Sequence, residues 1–316
     1  MKRFLIKIFL FVVIPFIISI PVDFGISYLL KQSNHFPGEY EVMNDIYDSK
    51  VNCDIAIYGS SRAWVHIDPQ IIGDSLNAET YNFGIDGHNF WLQYLRHLEL
   101  LKHNSKPKQI LLSVDMFTLQ KRSDLNNPDQ FLPYMLWSTN IREYTNSYIG
   151  YSEADYYLPL LRYAGKAKVI ETSLKMLGEN PDQNNLRTKG FLGRDKKWSS
   201  EFDEAKKTIG KYEVKIDTAS IDLLKKFIIE CKDQSIDLAF VYTPEYIEGQ
   251  DFVVNREEVI NIFKELSAKN NISFLDYSDD EICSNKDLFY NANHLNKYGA
   301  EIFTKKLAHD LKIILK

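Results

Sequence analysis

Short apolar runs that stop at a glycine or an acidic residue, separated by stretches of helical spacing, constrain this chain most. Asp54-Ile-Ala-Ile-Tyr-Gly59, Thr80–Gly84 and Gln109–Asp115 are three such runs, and they suit strands buried on both faces. Between them, Asp68-Pro69 forms a cap with proline in the first turn of a helix reaching about Leu76. Asn89–His103 carries leucines at 92, 95, 98 and 101, a helical spacing. The rhythm returns late in the chain: a helix at Ala219–Asp233, a strand at Asp237–Tyr242, a helix at Arg256–Asn270 and a strand at Ser273–Tyr277. A last helix begins near Asn296, with Phe303, Leu307, Leu311 and Ile314 on one face. Strands alternating with helices predict an α/β fold, a three-layer parallel sheet flanked by helices, with its chemistry at the carboxyl ends of the strands.

The amino terminus has another character. Lys2, Arg3 and Lys7 precede a stretch from Ile8 to Ile20 interrupted only by Pro15 and Ser19, the pattern of a signal or an anchor. Ile20-Pro-Val-Asp-Phe24 offers no pair of small residues for cleavage, so an uncleaved transmembrane anchor over residues 1–30 is expected. A cleaved leader or a buried helix is the alternative. Phe4–Leu30 is long enough to cross about 30 Å of hydrocarbon, with Asp23 near the outer interface. The basic flank places the amino terminus in the cytoplasm and the rest, after about residue 31, outside the membrane. Residues 31–50 read as a linker, and 51–316 as one domain.

Inside that domain, about residues 117–215 break the rhythm and collect Phe131, Tyr134, Trp137, Tyr144, Tyr148, Tyr151, Tyr156 and Tyr157. They read as a mainly helical insertion packed over the sheet. Its aromatics serve burial in the first instance, with a lid or a carbohydrate-stacking surface as the functional alternative. A net charge of -5 argues against a nucleic-acid partner. Cys53, Cys231 and Cys283 lack the CxxC spacing of a zinc or redox site and read as buried thiols. With no HExxH, P-loop or metal-spaced cluster, neither a metal nor another cofactor is expected.

Chemistry is expected from two loops. Ile57-Tyr-Gly-Ser-Ser-Arg62 sets two hydroxyls just after the first core strand, where Gly59 permits a sharp turn. Tyr290-Asn-Ala-Asn-His-Leu-Asn296 sets a histidine between the last strand and the last helix, at a sheet end from which it can reach a serine. Taken together these blocks resemble the SGNH (GDSL-like) hydrolase superfamily, and the sheet its flavodoxin-like arrangement. Gly59-Ser60-Ser61 matches the first block, Asn82-Phe83-Gly84 resembles the second and His294 matches the general base.

The resemblance implies Ser61 as nucleophile, His294 as base and Asn291 as its orienting residue, with Ser61, Gly84 and Asn82 around the oxyanion. The Gly-Ser-Ser-Arg opening, the anchor and the His294–Ala300 ending look like membrane-anchored bacterial SGNH-like proteins. That implies an esterase or O-acyltransferase in the bacterial cytoplasmic membrane, acting on acylated cell-envelope or secreted polysaccharide. The partners implied are an acylated carbohydrate or acyl donor, and a membrane-bound O-acyltransferase. Two departures stand out. Ser113-Val-Asp-Met116 replaces the Gly-x-Asn-Asp block, leaving Asn82 or Asn89 to substitute as donor. Asn291 stands where the family has aspartate, so Asp287, Asp115 or Asp276 is a candidate carboxylate. Arg62 and Asp115 are candidate substrate-binding groups, Arg62 alternatively forming a salt bridge to Asp86 or Asp115. The competing class is a catalytically weakened domain that binds a glycan or an acyltransferase partner.

Overall fold

The computed structural model describes residues 1–34, 39–87, 89–178 and 187–314. The chain divides into two compact units, Met1–Asp45 with Ser123–Leu186, and Ile46–Arg122 with Arg187–Lys316.

The second unit is built on five parallel strands: β1 (Ile55–Gly59), β2 (Thr80–Asn82), β3 (Gln109–Val114), β4 (Asp237–Tyr242) and β5 (Ser273–Asp276). Their order is β2-β1-β3-β4-β5. Alternation along the strands feeds two cores. Ile55, Ile57, Leu111, Ala239 and Val241 face Phe303, Leu307 and Leu311 of the terminal helix Lys297–Ile314. On the opposite side Tyr58 meets His97 and Phe227, from helices Phe90–His103 and Thr218–Asp233, and Phe240 meets Phe263 of Arg256–Asn270. Helices thus cover both faces, which explains why each central strand is an unbroken apolar run. The strand order reverses between β1 and β3, so loops leaving their carboxyl ends diverge and open a crevice.

The strands expected from the sequence are present within a residue or two of their ends. Two elements differ. Ser61–His66 is a short helix rather than a turn, and the histidine loop is a tight hairpin of β6 (Phe289–Asn291) and β7 (His294–Leu295). Both are too short to impose a periodic pattern.

In the first unit the helix Lys2–Leu30 runs through Pro15 and Pro21. Its most apolar 18-residue window has a mean hydropathy of 2.7 and none of it is buried. The far end is different: Asp23, Ser27 and Leu30 are buried. Asp23 pairs with the Arg162 guanidinium at 2.7 Å and accepts the Leu160 N–H at 2.7 Å. Ser27 Oγ accepts from Arg162 at 2.9 Å and bonds the Tyr163 hydroxyl at 2.8 Å. An acid that looked marginal for a membrane helix is thus neutralised within its own unit. Part of the segment read as a linker is also ordered: Tyr40–Tyr47 is a helix burying Tyr40, Val42 and Met43. Of the aromatics, Phe131, Tyr134, Tyr144, Tyr148 and Tyr156 are buried, whereas Trp137 and Tyr157 are exposed. All three cysteines are free and buried.

Candidate active site

The site starts with a glycine. Gly59 ends β1 at φ +150°, and a Cβ there would lie 2.6 Å from Ala63 Cβ and 2.8 Å from Ser113 Cβ. A side chain would therefore displace the helix that follows. Ser60 caps that helix, accepting the Arg62 N–H at 3.2 Å and donating its hydroxyl to Asp115 Oδ2. Asp115 is fully buried beyond β3 and also accepts the Phe117 N–H at 2.8 Å. This ties the two diverging loops across the crevice and leaves Ser61 as the first helical residue, whose N–H has no acceptor within the helix.

Ser61 Oγ lies 2.7 Å from His294 Nε2, and His294 Nδ1 lies 2.9 Å from Asn291 Oδ1. The same Oδ1 accepts the Asn293 N–H at 3.1 Å. A backbone donor there identifies that atom as the amide oxygen, so Nδ1 carries the imidazole proton and Nε2 is the bare acceptor facing the hydroxyl. The Tyr290 ring stacks on the imidazole at 5.3 Å and 5°. His66 meets it edge-on at 6.1 Å, accepting the Leu295 N–H at 2.9 Å and bonding Thr243 Oγ1 at 2.8 Å through Nδ1. His66 thereby pins β7 to the helix Ser61–His66. A lone histidine behind Trp64-Val65 carries no sequence signal for that role.

The other named residues fall less simply. Arg62 is buried and spends its guanidinium on Glu245 at 2.9 Å, on Thr243 Oγ1 at 3.1 Å and on the Thr243 carbonyl, above the Tyr242 ring. Its ion-pair partner is therefore Glu245 rather than Asp86 or Asp115. Asn82 donates to the carbonyls of Ala63 and Ile67 at 2.8 and 2.7 Å and accepts the Gly84 N–H at 2.8 Å. A Cβ on Gly84 would lie 2.4 Å from Trp64 N. Asn82 and Gly84 therefore clamp the helix Ser61–His66, and both polar groups expected at the oxyanion are engaged in doing so. The cavity beside Ser61 and His294, about 220 Å³, is lined instead by Asp86, Gly87, Asn89 and Arg122 among others. Gly87 has φ +69°, and Arg122 donates to its carbonyl at 3.0 Å. Gly87, the second glycine after β2, thus borders the cavity beside the pair. None of the three substitute carboxylates takes the place of Asn291 on Nδ1. Asp115 is bonded to Ser60, Asp276 accepts the Ser278 N–H at 3.1 Å, and Asp287 gives its backbone carbonyl to Asn296.

Among solved structures the chain is similar to GDSL-type hydrolases. A protein assigned to the G-D-S-L lipolytic family from Desulfitobacterium hafniense is 13% identical with a TM-score of 0.39, covering 81% of this chain and 98% of its own. An acetyl xylan esterase is 15% identical with a TM-score of 0.40, over 83% and 100% of the two chains. A GDSL-like lipase from Bacteroides thetaiotaomicron is 9% identical with a TM-score of 0.35, over 81% and 87%. No family model and no curated protein matches the chain.

Burial, reinforced by the positive charges of Arg62, Arg194 and Lys196, pushes the His294 imidazole down to about 3. His66 is held well below the ordinary histidine range, chiefly by burial. Both rings are neutral at pH 7, and a protonated His294 would have no carboxylate on Nδ1 to support it. Among the described residues no group of three or more His, Cys, Asp or Glu is placed to hold a metal ion.

Proposed function

We propose that the sheet unit is a serine esterase or O-acyltransferase. His294 Nε2 takes the Ser61 proton as Oγ attacks an ester carbonyl. The oxyanion collapses to an acyl-serine, and the imidazolium returns its proton to the departing alcohol. Water, or the hydroxyl of an acceptor, then repeats the sequence in reverse. The 2.7 Å Ser61–His294 contact, with Nδ1 held by Asn291, carries this reading. In place of Gly84, the N–H groups of Ser61 and Gly87 and the Asn89 amide are the donors assigned to the oxyanion, each worth up to roughly 3 kcal/mol in such sites.

Acyl esters of cell-envelope or secreted polysaccharide are the proposed substrates. The helix Lys2–Leu30 is the proposed single-pass anchor, with the sheet unit on the extracytoplasmic side and a membrane-bound O-acyltransferase as its partner. A fluorophosphonate probe should label Ser61 in the folded, full-length protein and leave Ser61→Ala unlabelled. Persistent absence of labelling in folded protein would count against the enzyme. Asn291 favours a second reading, a weakened enzyme retained for glycan or partner binding, because an amide cannot stabilise imidazolium by charge. If Ser61→Ala keeps the cellular phenotype while changes among the exposed aromatics of the helical unit remove it, that second reading prevails.

A further inference from the structure

One face of the helical unit is apolar where solvent would meet it, and it lies at the far end of the first helix. From Phe4 to Asp23 the helix Lys2–Leu30 rises about 30 Å, roughly the thickness of a bilayer's hydrocarbon. Phe24 follows at that boundary, with Tyr28 one turn further along the same face, and both are exposed. Beside them the chain 156–163 divides. Tyr156, Arg162 and Tyr163 are buried, Arg162 on Asp23, whereas Tyr157, Leu158 and Leu161 stand 47%, 46% and 39% exposed. Trp137, 53% exposed, completes the group: its ring lies 6.1 Å from that of Phe24, and its indole N–H donates to the Tyr157 carbonyl at 3.1 Å.

The backbone is bent to this arrangement. Trp137 at φ +59° and Leu160 at φ +66° occupy the left-handed region, which bulky side chains disfavour. Bonds within the patch hold both there: the Trp137 N–H donates to the Tyr156 carbonyl at 2.8 Å, and the Leu160 N–H to Asp23 at 2.7 Å. A charged pair, Arg142 and Glu153 at 2.9 Å, borders the group, with the Arg142 guanidinium 5.5 Å from the centre of the Tyr157 ring. An exposed apolar patch with a polar rim marks an interaction surface, and tryptophan and tyrosine suit the depth of lipid headgroups. The helix itself says what covers it. Phe24 continues directly from an apolar window of which none is buried, so a bilayer that takes up that window reaches the patch as well.

Resting on the reading of Lys2–Leu30 as a membrane span, we propose that Trp137, Tyr157, Leu158 and Leu161 sink into the leaflet from which that helix emerges, seating the helical unit in the membrane interface. A span alone would fix the unit's height; these side chains would fix its tilt.

The test uses the full-length protein in lipid nanodiscs, with one nitroxide-labelled cysteine at a time: Phe11→Cys in the span, Tyr157→Cys, Leu158→Cys or Leu161→Cys in the patch, and Lys305→Cys in the exposed part of the terminal helix as the aqueous reference. The native cysteines are buried and burial pushes their thiols up, so the label takes the introduced one. Circular dichroism verifies that each variant is folded. Collisions of the label with oxygen, which concentrates in hydrocarbon, are compared with collisions with a water-soluble nickel chelate. The oxygen-to-nickel ratio at Leu158 and Leu161 should exceed that at Lys305 by about fivefold or more and approach that at Phe11. Adding Leu158→Glu to Leu161→Cys should cut the ratio by about threefold, because a charge resists entry into the leaflet. If Phe11 reads as hydrocarbon while all three patch labels match Lys305, the span stands and the seat is wrong, the aromatics then facing water. If Phe11 itself matches Lys305, the anchor fails and the seat falls with it.

Discussion

At the scale of single residues, the orienting position is the most informative. Asn291 Oδ1 serves both the imidazole and the Asn293 N–H, and aspartate can accept the same two bonds with a charge added. Asn291→Asp should therefore raise the His294 pKa from its depressed value and increase kcat at least tenfold, since loss of a carboxylate at the equivalent position of a serine protease costs about 10⁴. Its acid limb should move to higher pH, read from the pH dependence of acylation. Arg62→Met tests a different role. It would leave Glu245, among the described residues, with Arg256 and Tyr242 as side-chain partners, and should cost about 3 kcal/mol in denaturant unfolding. That Ser61 and His294 would meet was legible because each stands in a loop at the same end of the sheet, beside recognisable neighbours. Glu245 was not, since nothing local to Arg62 announces a partner 183 positions away.

At the scale of elements, the clamp on the helix Ser61–His66 should govern how well Ser61, the proposed nucleophile, is aimed. Asn82→Ala removes two bonds to the carbonyls of Ala63 and Ile67 and releases the Gly84 N–H. Buried groups left unsatisfied cost about 1–3 kcal/mol each, so thermal unfolding should come earlier and fluorophosphonate labelling should slow together. In the other unit, Asp23→Ala should destabilise by about 3–5 kcal/mol by leaving Arg162 buried and uncompensated, seen as faster proteolysis of the 123–178 region. The paired change Asp23→Leu with Arg162→Leu should recover much of that loss. The longer strands and helices were readable from periodicity. The hairpin β6–β7, the capped single-turn helix and the Tyr40–Tyr47 helix were not, because burial through tertiary contacts rather than local pattern defines them.

For the whole molecule, buried histidines make acid the vulnerable side. Burial drives His97 down to about 4, as it does His294 to about 3 and His66 well below its ordinary range. Below pH 6.5 the unfolded chain takes up protons on these side chains that the folded chain refuses. The stability they permit is complete above about pH 6.5 and is lost as pH falls toward 4 and then 3, with a limiting slope near 1.4 kcal/mol per pH unit for each ring. Circular dichroism melts should show a Tm that holds from pH 8 to about 6.5 and falls from there to pH 4, and His97→Gln should make that fall shallower. The layered sheet was legible as a whole because every central strand is apolar on both faces. The division into two units was not, since Ser123–Leu186 joins residues from the distant amino terminus.

The end of the first helix sets a condition on processing. Asp23, Ser27 and Leu30 belong to the interior of the helical unit. A peptidase that cut beyond residue 23 would strip the ion pair's acid from Arg162, and one that cut past Leu30 would take a core side chain as well. Cleavage at either point should therefore destabilise the helical unit, and an anchor that is kept is the reading we propose for this helix.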